Sequence, residues 1–397
     1  MKHYFFRRKL PLFRPLVKRL ERSEKEREKL HRSISDLRAR LNEKDQQLGA
    51  FQAIIQNLEN TSKPAGASHV PPIETPLSAS SDDADRAGFA EVQVAAGQFE
   101  RPRFEKFPYV GPFPWLDQPD AEGKITERLQ AGVITEEEAA QFHCWRENGY
   151  IILERAIEPE LLDEVWAAYE AAIADGTVQL QPESLGPDDP WPGRFQDPHM
   201  KVPALCRIMR HPTLLRWVRL LMEREPAPFQ TITSHKGSQQ QEHSDSIHMT
   251  TYPIGYLTAA WVAFEDIHPD SGPLVYYPKS HRLPYIFSRD VGIAEEAYRQ
   301  EGFQPYHEKY EPRIQQVIIE HQIEPHYFHA KKGDVLFWHA NLLHGGSKRR
   351  NLQLSRRALV NHYFVEGAVC YHDFSASNPK QFSSTCLSET RPSSNGV

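Results

Sequence analysis

The chain has 397 residues, of which 39% are hydrophobic, so it can bury a sizeable core and has room for more than one unit. Its formal net charge of −6 gives no reason to expect a nucleic-acid partner. The four cysteines are scattered, which argues against a disulfide framework. No apolar run approaches the ~18 residues of a membrane span, and no secretory signal is visible. These properties predict a soluble, cytoplasmic protein.

The first predicted element is a coiled-coil helix. Its apolar residues recur at alternating spacings of four and three: Leu30, Ile34, Leu37, Leu41, Leu48, Phe51, Ile55 and Leu58. Charged residues fill the intervening positions, although Lys44 interrupts the seam. This pattern favours a coiled coil over a helix packed on its own domain, so residues 16–58 are expected to form a homo-oligomer. The basic and aromatic residues before it suggest a weak membrane-surface contact.

Composition divides the chain into four parts. Residues 1–60 hold the basic N-terminus and the coiled coil. Residues 61–98 are rich in Pro, Ser, Ala and Asp, a composition that buries too little apolar surface to offset the entropy cost of ordering and predicts a flexible linker. Residues 99–376 form the globular domain, and residues 377–397 a polar tail.

The globular domain begins with helices and continues with strands. Thr135 opens a capping-box pattern for a helix that ends near Asn148, and residues 150–153 form an apolar strand. Pro159 begins a second helix, and residues 213–222 form a third. The later predicted strands are residues 257–264, 274–277, 317–319, 335–338 and 358–365. This order predicts an α+β domain, a β-sandwich or barrel with helices on one side.

The triplet His243-Ser244-Asp245 is the first candidate metal site. In a strand, the side chains of His243 and Asp245 point to the same face and can bind one ion. Two imidazoles and one carboxylate are the ligand set of non-haem Fe(II) oxygenases. A second triplet of the same form, which contains His268 and Asp270, lies in a turn where Pro269 prevents regular strand pairing. We therefore predict that the second triplet is a loop without metal.

The third metal ligand must come from another strand. Residues 332–346 contain a turn, a buried apolar strand, and then His344 followed by two glycines, which let a backbone or a substrate approach closely. We predict His344 as the ligand. His339 is the competing candidate, and its alternative role is that of a core histidine.

Arg356 and Arg357 are candidates for binding a dicarboxylate co-substrate. Such a molecule chelates iron through one end and needs a cation for its far carboxylate, and arginine offers a planar pair of donors. The two arginines alternate across a predicted strand. Only one of them can face the site.

With these residues assembled, residues 135–365 resemble the phytanoyl-CoA dioxygenase family of Fe(II)/2-oxoglutarate oxygenases. The motifs that carry the resemblance are Asn148-Gly149-Tyr150, His243-Ser244-Asp245, residues 260–266, Ser271-Gly272-Pro273-Leu274, residues 278–281 and His344-Gly345-Gly346. The combination and order of these motifs are more specific than any one of them. The family fold is a double-stranded β-helix, a cupin-like jelly roll with flanking helices.

The resemblance implies roles for individual residues. The iron ligands are His243, Asp245 and His344, and Arg356 binds the distal carboxylate of 2-oxoglutarate. Trp261 and Gln241 are expected to line the site. Lys279 replaces a usual glycine, Gly346 stands where many relatives have serine, and the segment from His344 to Arg356 is about one residue longer than is commonest, which is why Arg357 stays an alternative.

The resemblance also implies a reaction. With Fe(II), 2-oxoglutarate and O2, the protein is expected to hydroxylate an unactivated C–H bond of a small-molecule or lipid-like substrate and to release succinate and CO2. An intact carboxylate at Asp245 favours hydroxylation over halogenation, while desaturation and epimerisation stay open as alternative reactions. The alternative is a catalytically silent jelly-roll scaffold that assembles through its coiled coil.

Overall fold

The computed structural model describes residues 89–91, 107–180, 189–294, 297–374 and 377–382. The predicted coiled coil, the homo-oligomer that it would form and the N-terminal membrane contact lie outside these ranges. Most of the predicted linker does so as well. Within the described ranges, no helix is long and apolar enough to cross a membrane.

The α-helices come mostly before the strands. Within the described ranges they are α1 (Ala121–Gln130), α2 (Glu136–Asn148), α3 (Pro159–Ala174), α4 (Cys206–Met209), α5 (Pro212–Met222), α6 (Ala297–Glu301) and α7 (Glu311–Glu320). A π-helical turn, Tyr306–Tyr310, leads into α7. The helices predicted from Thr135, from Pro159 and over residues 213–222 are thus confirmed as α2, α3 and α5.

The strands supply the framework of the domain. In the same ranges they are β1 (Phe89–Glu91), β2 (Tyr150–Leu153), β3 (Phe195–Gln196), β4 (Pro226–Ser234), β5 (Thr250–Tyr252), β6 (Thr258–Ala263), β7 (Leu274–Tyr276), β8 (His326–Phe328), β9 (Val335–His339), β10 (His344–Gly346), β11 (Ala358–Val365), β12 (Val369–His372) and β13 (Ser377–Phe382). Their pairings are antiparallel.

The strands pair into three sheets. The largest has the order β2-β9-β6-β11-β4-β3, a three-stranded sheet has the order β10-β7-β8, and a four-stranded sheet has the order β1-β13-β12-β5. Side chains alternate across the large sheet because successive residues of a strand point to opposite faces. In β6, Ala260 and Val262 join the core that includes the helices, while Trp261 points to the opposite face. That second face packs against β7 and β8, which gives the jelly roll.

Helix α2 has the ends that its sequence predicts. The Thr135 hydroxyl accepts from the Glu138 backbone N–H, and the Glu138 carboxylate accepts from the Thr135 N–H, which completes the capping box. Gly149 ends the helix with φ of 81°, a left-handed conformation that favours glycine. A Cβ at this position would lie 2.5 Å from His281 Nδ1, so glycine is also required by close packing.

The strand predicted over residues 317–319 is wrong, because these residues belong to α7. Ile314 and Val317, three residues apart, bury one face of this helix against neighbouring aromatic side chains, whereas Ile319 is 73% exposed. A short run of β-branched residues favours a strand locally. Here the helical spacing of the buried residues and tertiary packing outweigh that preference.

Two short strands lie outside the predicted bounds of the globular domain. Strand β1 lies within the predicted linker, and β13 lies within the predicted tail. These two strands pair with each other, and β13 also pairs with β12. Composition cannot reveal this arrangement, because each strand depends on a partner that is distant in sequence.

Candidate metal centre

A backbone bridge brings His243 and His344 together. Each residue's N–H donates to the other's carbonyl oxygen at 2.9 Å, and the two ring centroids lie 4.6 Å apart. His243 was predicted to lie in a regular strand that continues through Asp245. Instead its bridge is isolated, and Asp245 begins a short 3₁₀ turn, Asp245–Ile247. The turn, rather than strand alternation, carries the carboxylate towards the two rings.

Both histidines present the same nitrogen to the centre. Nδ1 of His243 donates to the Gln241 carbonyl oxygen at 2.9 Å, and Nδ1 of His344 donates to the Leu342 carbonyl oxygen at 3.0 Å. A carbonyl oxygen only accepts, so each Nδ1 carries the ring proton and each Nε2 carries the lone pair that can bind a metal. Hydrogen bonds of this kind fix the orientation of metal-binding histidines.

Asp245 completes a set of three buried groups. Its Oδ1 lies 3.6 Å from Nε2 of His344 and 4.0 Å from Nε2 of His243. Within the described ranges, these three residues are the group of His, Cys, Asp or Glu side chains whose ligand atoms all lie within 4.8 Å of one another. The geometry is that of a site for one ion, open on the side that faces a cavity.

The charges of the three groups suit a divalent cation. Burial raises the pKa of Asp245, but His344 and His362 lower it by more, so the pKa stays well below its usual range. Burial, and next the neighbouring His344, hold the pKa of His243 well below its ordinary value. A carboxylate and a neutral imidazole are the forms that bind metals. Two imidazole nitrogens and one carboxylate oxygen fit Fe(II).

The cavity beside the three groups has a volume of about 660 Å³ and also contains Arg356. This side chain is 4% exposed, and its Nη1 and Nη2 donate to the Gly272 carbonyl oxygen at 3.0 Å and to Ser234 Oγ at 3.4 Å. Its Nε has no hydrogen-bond partner, and no acid of the described ranges forms an ion pair with it. Burial, and then Arg194 and Arg349, lower its pKa to about 9, so it remains charged at neutral pH. A buried cation of this kind favours an anionic ligand.

Arg357 points away from the cavity. Its Nη2 lies 3.3 Å from Glu170 Oε1, and its guanidinium lies 5.6 Å from the ring centroid of Trp166. Its side chain is 36% exposed. Trp261, in contrast, lines the cavity as predicted, with its ring centroid 5.7 Å from the guanidinium carbon of Arg356.

The prediction that Gln241 lines the site is wrong by one residue. The Gln241 side chain is exposed and does not line the cavity beside the metal ligands, whereas Gln240 does. Nε2 of Gln240 lies 3.3 Å from Nε2 of His243. The prediction assumed strand alternation between Gln241 and His243, but residues 239–242 form no strand and the bridge of His243 is isolated.

The two competing histidines lie elsewhere. His339 is buried, with its Nε2 3.0 Å from Asp117 Oδ2, and it does not line the cavity. His268 and Asp270 lie in an exposed turn, where Nδ1 of His268 accepts from the Asp270 N–H. The structure therefore brings together the predicted set and leaves both alternatives outside it.

Sequence reasoning missed several side chains of the cavity. His362 lies on β11 with its Nε2 3.7 Å from Asp245 Oδ2, and counting in twos from Arg356 along this strand would have found it. Trp338 donates its indole N–H to Asp245 Oδ2. Tyr306 and His248 come from segments whose approach to the centre carries no signal in the sequence, and their rings pack with centroids 5.0 Å apart.

One part of the cavity wall, formed by Tyr306 and His248, offers unsatisfied polar atoms. The Tyr306 hydroxyl and Nε2 of His248 are buried and have no hydrogen-bond partner among the described residues. A buried polar atom without a partner costs free energy unless a ligand or water satisfies it. Both residues line the cavity, so this wall can donate to and accept from a bound molecule.

Fold and site together define a metal-dependent jelly-roll protein, and comparison with known proteins places it in a family. The family model for phytanoyl-CoA dioxygenase (PhyH) matches residues 145–358, more than half of the chain. The chain therefore belongs to the phytanoyl-CoA dioxygenase family, whose members are Fe(II)/2-oxoglutarate oxygenases. Fe(II) is accordingly its metal, and 2-oxoglutarate and O2 are its co-substrates.

Individual relatives are distant. Peroxisomal phytanoyl-CoA dioxygenase of Rattus norvegicus is 23% identical over 308 residues, covering 71% of this chain and 83% of the rat protein. The Homo sapiens protein of the same name is 26% identical over 140 residues, or 34% of this chain and 36% of the human protein. Among solved structures, EctD from S. alaskensis in its apo form has 19% identity and a TM-score of 0.47, covering 75% of this chain and 91% of EctD.

Proposed function

We propose that the protein is a hydroxylase that uses Fe(II), 2-oxoglutarate and O2 to oxidise an unactivated C–H bond of a small-molecule or lipid-like substrate. The single observation that carries this proposal is the cavity in which His243, Asp245 and His344 converge beside the unpaired cation of Arg356. A scaffold protein has no need to bury an uncompensated guanidinium beside three convergent ligand atoms, because both features cost stability.

The side chains have distinct roles in this proposal. Nε2 of His243, Nε2 of His344 and Oδ1 of Asp245 would hold Fe(II), which when bound supplies the centre for the oxidation by O2. Arg356 would bind the distal carboxylate of 2-oxoglutarate, and the ring of Trp261 would cover the guanidinium from one side.

The rest of the cavity would hold the substrate. Trp261, Trp338 and Leu274 provide apolar surface, and Tyr306 and His248 provide polar atoms. A wall of this mixed character can orient one C–H bond towards the metal and limit the entry of water. The identity of the substrate is decided by this wall rather than by the metal ligands.

The test measures succinate formation by the purified full-length protein with Fe(II), 2-oxoglutarate and O2 in the presence of fractionated metabolite extracts. Products are identified by mass spectrometry. Gain of one oxygen atom, coupled to one succinate, supports hydroxylation, whereas loss of two hydrogens or an unchanged mass indicates desaturation or epimerisation. His344→Ala should be inactive. The matched control, His268→Ala, should retain full turnover because His268 lies in an exposed turn.

The result also discriminates the alternative of a silent scaffold. A wild-type protein that binds metal but forms no succinate above the level of His344→Ala would support the scaffold and reject the enzyme.

The organisation of the whole chain is a further part of the proposal. Residues 1–60 would assemble the protein through their heptads, residues 61–98 would act mainly as a linker, and the oxygenase domain would follow. Sedimentation of the full-length protein tests this organisation. A monomer at micromolar concentration would reject the homo-oligomer.

A further inference from the structure

The second oxygen of the Asp245 carboxylate is held by a tryptophan. Nε1 of Trp338 donates to Asp245 Oδ2 at 2.6 Å, and the two residues are 2% and 4% exposed. Nε2 of His362 lies 3.7 Å from the same oxygen, which is longer than a hydrogen bond. The indole N–H is therefore the closer of the two donors to this carboxylate oxygen.

Trp338 is itself held firmly by its surroundings. It lies in β9, where Tyr150 of β2 and Ala259 of β6 are its partners on either side. The Thr258 hydroxyl donates to its carbonyl oxygen at 2.8 Å. A buried side chain on a strand that is paired on both sides has little freedom to move, so the position of its N–H is well defined.

The same indole contacts a second predicted metal ligand. The rings of Trp338 and His344 lie with centroids 4.4 Å apart and an interplanar angle of 37°. One rigid side chain thus fixes the carboxylate by a hydrogen bond and one imidazole by packing. Oδ1 of Asp245 faces the two imidazole nitrogens, accepts from no such donor among the described residues and remains available.

We propose that Trp338 is a positioning residue that makes Asp245 a single-oxygen ligand. This inference rests on the ligand roles proposed above. A carboxylate without a hydrogen bond can rotate and offer either oxygen or both, whereas a charge-assisted hydrogen bond withdraws Oδ2 from the metal. Partners of this kind tune both the affinity of a site and the orientation of its ligands.

The test compares Trp338 with a tryptophan of similar chemistry elsewhere. Trp166 is also buried, and its indole N–H donates to a carboxylate oxygen, Glu170 Oε1, at 2.7 Å. The variants are Trp338→Phe, Trp166→Phe, and a protein in which Trp338 alone is replaced by 3-benzothienylalanine. This amino acid keeps the bicyclic shape and has sulfur in place of N–H, so it separates the hydrogen bond from packing.

The measurements are the affinity of the full chain for Mn(II) alone and the visible spectrum of the Co(II) form. Loss of the N–H should weaken Mn(II) binding by about 10–100-fold in both Trp338 variants. It should also alter the Co(II) spectrum, because the number of carboxylate oxygens on the metal changes. Trp166→Phe should match wild type in both measurements.

The outcomes separate this inference from the proposed function. If the benzothienyl variant binds Mn(II) like wild type and has the wild-type Co(II) spectrum, the inference is overturned, even if Trp338→Phe is defective, because packing would then explain the defect. A wild-type protein that binds metal and forms no succinate would reject the hydroxylase alone. A wild-type protein that binds neither Mn(II) nor Co(II) would overturn both.

Discussion

Two buried clusters among the described residues combine histidine with aspartate, and they differ in whether the ring nitrogen tied to the backbone donates or accepts the hydrogen bond. At the proposed metal centre, Nδ1 of His243 and of His344 donates to a carbonyl oxygen, so Nε2 is left to face Asp245 and the cavity. At the second cluster, Nδ1 of His339 accepts from the Asn341 N–H at 3.0 Å, so the proton lies on Nε2 and is directed at Asp117.

The difference decides what each cluster can do. The His339 ring uses both nitrogens within the protein, and neither it nor Asp117 lines the cavity. This cluster is a structural contact that holds the segment around Asp117 against β9. The first cluster has three convergent ligand atoms with lone pairs and a cavity in front of them. Burial and residue type are the same in both, so local hydrogen bonding distinguishes a ligand set from a core contact.

The largest expected effect is the loss of metal from His344→Ala. An outer partner of a ligand already contributes roughly 10–100-fold in affinity, so removal of a ligand itself should cost more than about 100-fold. Titration with Mn(II) measures this. His268→Ala is the control and should bind like wild type, and a His344→Ala protein that retains wild-type affinity would contradict the assignment.

The second cluster should respond in stability rather than in metal binding. His339→Leu leaves the Asp117 carboxylate buried without its imidazole partner, which should lower the free energy of unfolding by about 3–5 kcal/mol. Urea denaturation measures the loss, and the Mn(II) affinity of the folded protein should be unchanged. His326→Leu, at an exposed position, should stay within about 0.5 kcal/mol of wild type. If His339→Leu lost metal and kept its stability, the comparison of the clusters would be reversed.

A somewhat smaller effect is expected on the binding of 2-oxoglutarate. Arg356→Met removes a buried cation, and hydrogen bonds to charged groups contribute about 1.5–3 kcal/mol. The KM for 2-oxoglutarate should therefore rise by about 10- to 100-fold. Succinate formation at varied 2-oxoglutarate concentration measures it. Arg357→Met should change KM little, since this side chain faces Glu170, and equal effects of the two variants would reject the assignment.

The smallest expected effect concerns Tyr310, which contacts Ser244, the residue between His243 and Asp245. The Tyr310 hydroxyl lies 3.2 Å from both the backbone nitrogen and Oγ of Ser244, so it ties the start of α7 to the metal-binding turn. Neutral hydrogen bonds contribute about 0.5–1.5 kcal/mol, so Tyr310→Phe should weaken Mn(II) binding by about 2- to 10-fold. Tyr327→Phe, at a half-exposed position, should have no effect. A wild-type Mn(II) affinity in Tyr310→Phe would show that the metal-binding turn keeps its conformation without this hydrogen bond.

Much of the fold could be predicted because its signals are local. The capping box at Thr135, the proline at the start of α3 and the apolar run of β11 each specify an element through contacts within a few residues. The strand predicted over residues 317–319 failed for the opposite reason. Its local preference was overridden by packing of α7 against residues that are distant in sequence.

The site shows the same division at the level of single residues. The spacing of His243 and Asp245, the glycines after His344 and the family resemblance predict as ligands three residues that the structure brings together. Gln241 is predicted instead of Gln240 because the prediction depends on a regular strand before His243, and the described backbone forms no strand there.

The sequence by itself determined the kinds of chemical group present, the order of the elements and the family resemblance, because these follow from composition and from short spacings between residues. Only the tertiary structure decided that Arg356 rather than Arg357 faces the cavity, that Nε2 of His339 is hydrogen-bonded to Asp117, and that the Trp338 N–H reaches Asp245. Each of these depends on the register of strands paired across the sheet. A shift of one residue reverses the direction of every side chain in a strand, and the pairing that prevents such a shift is made by distant parts of the chain.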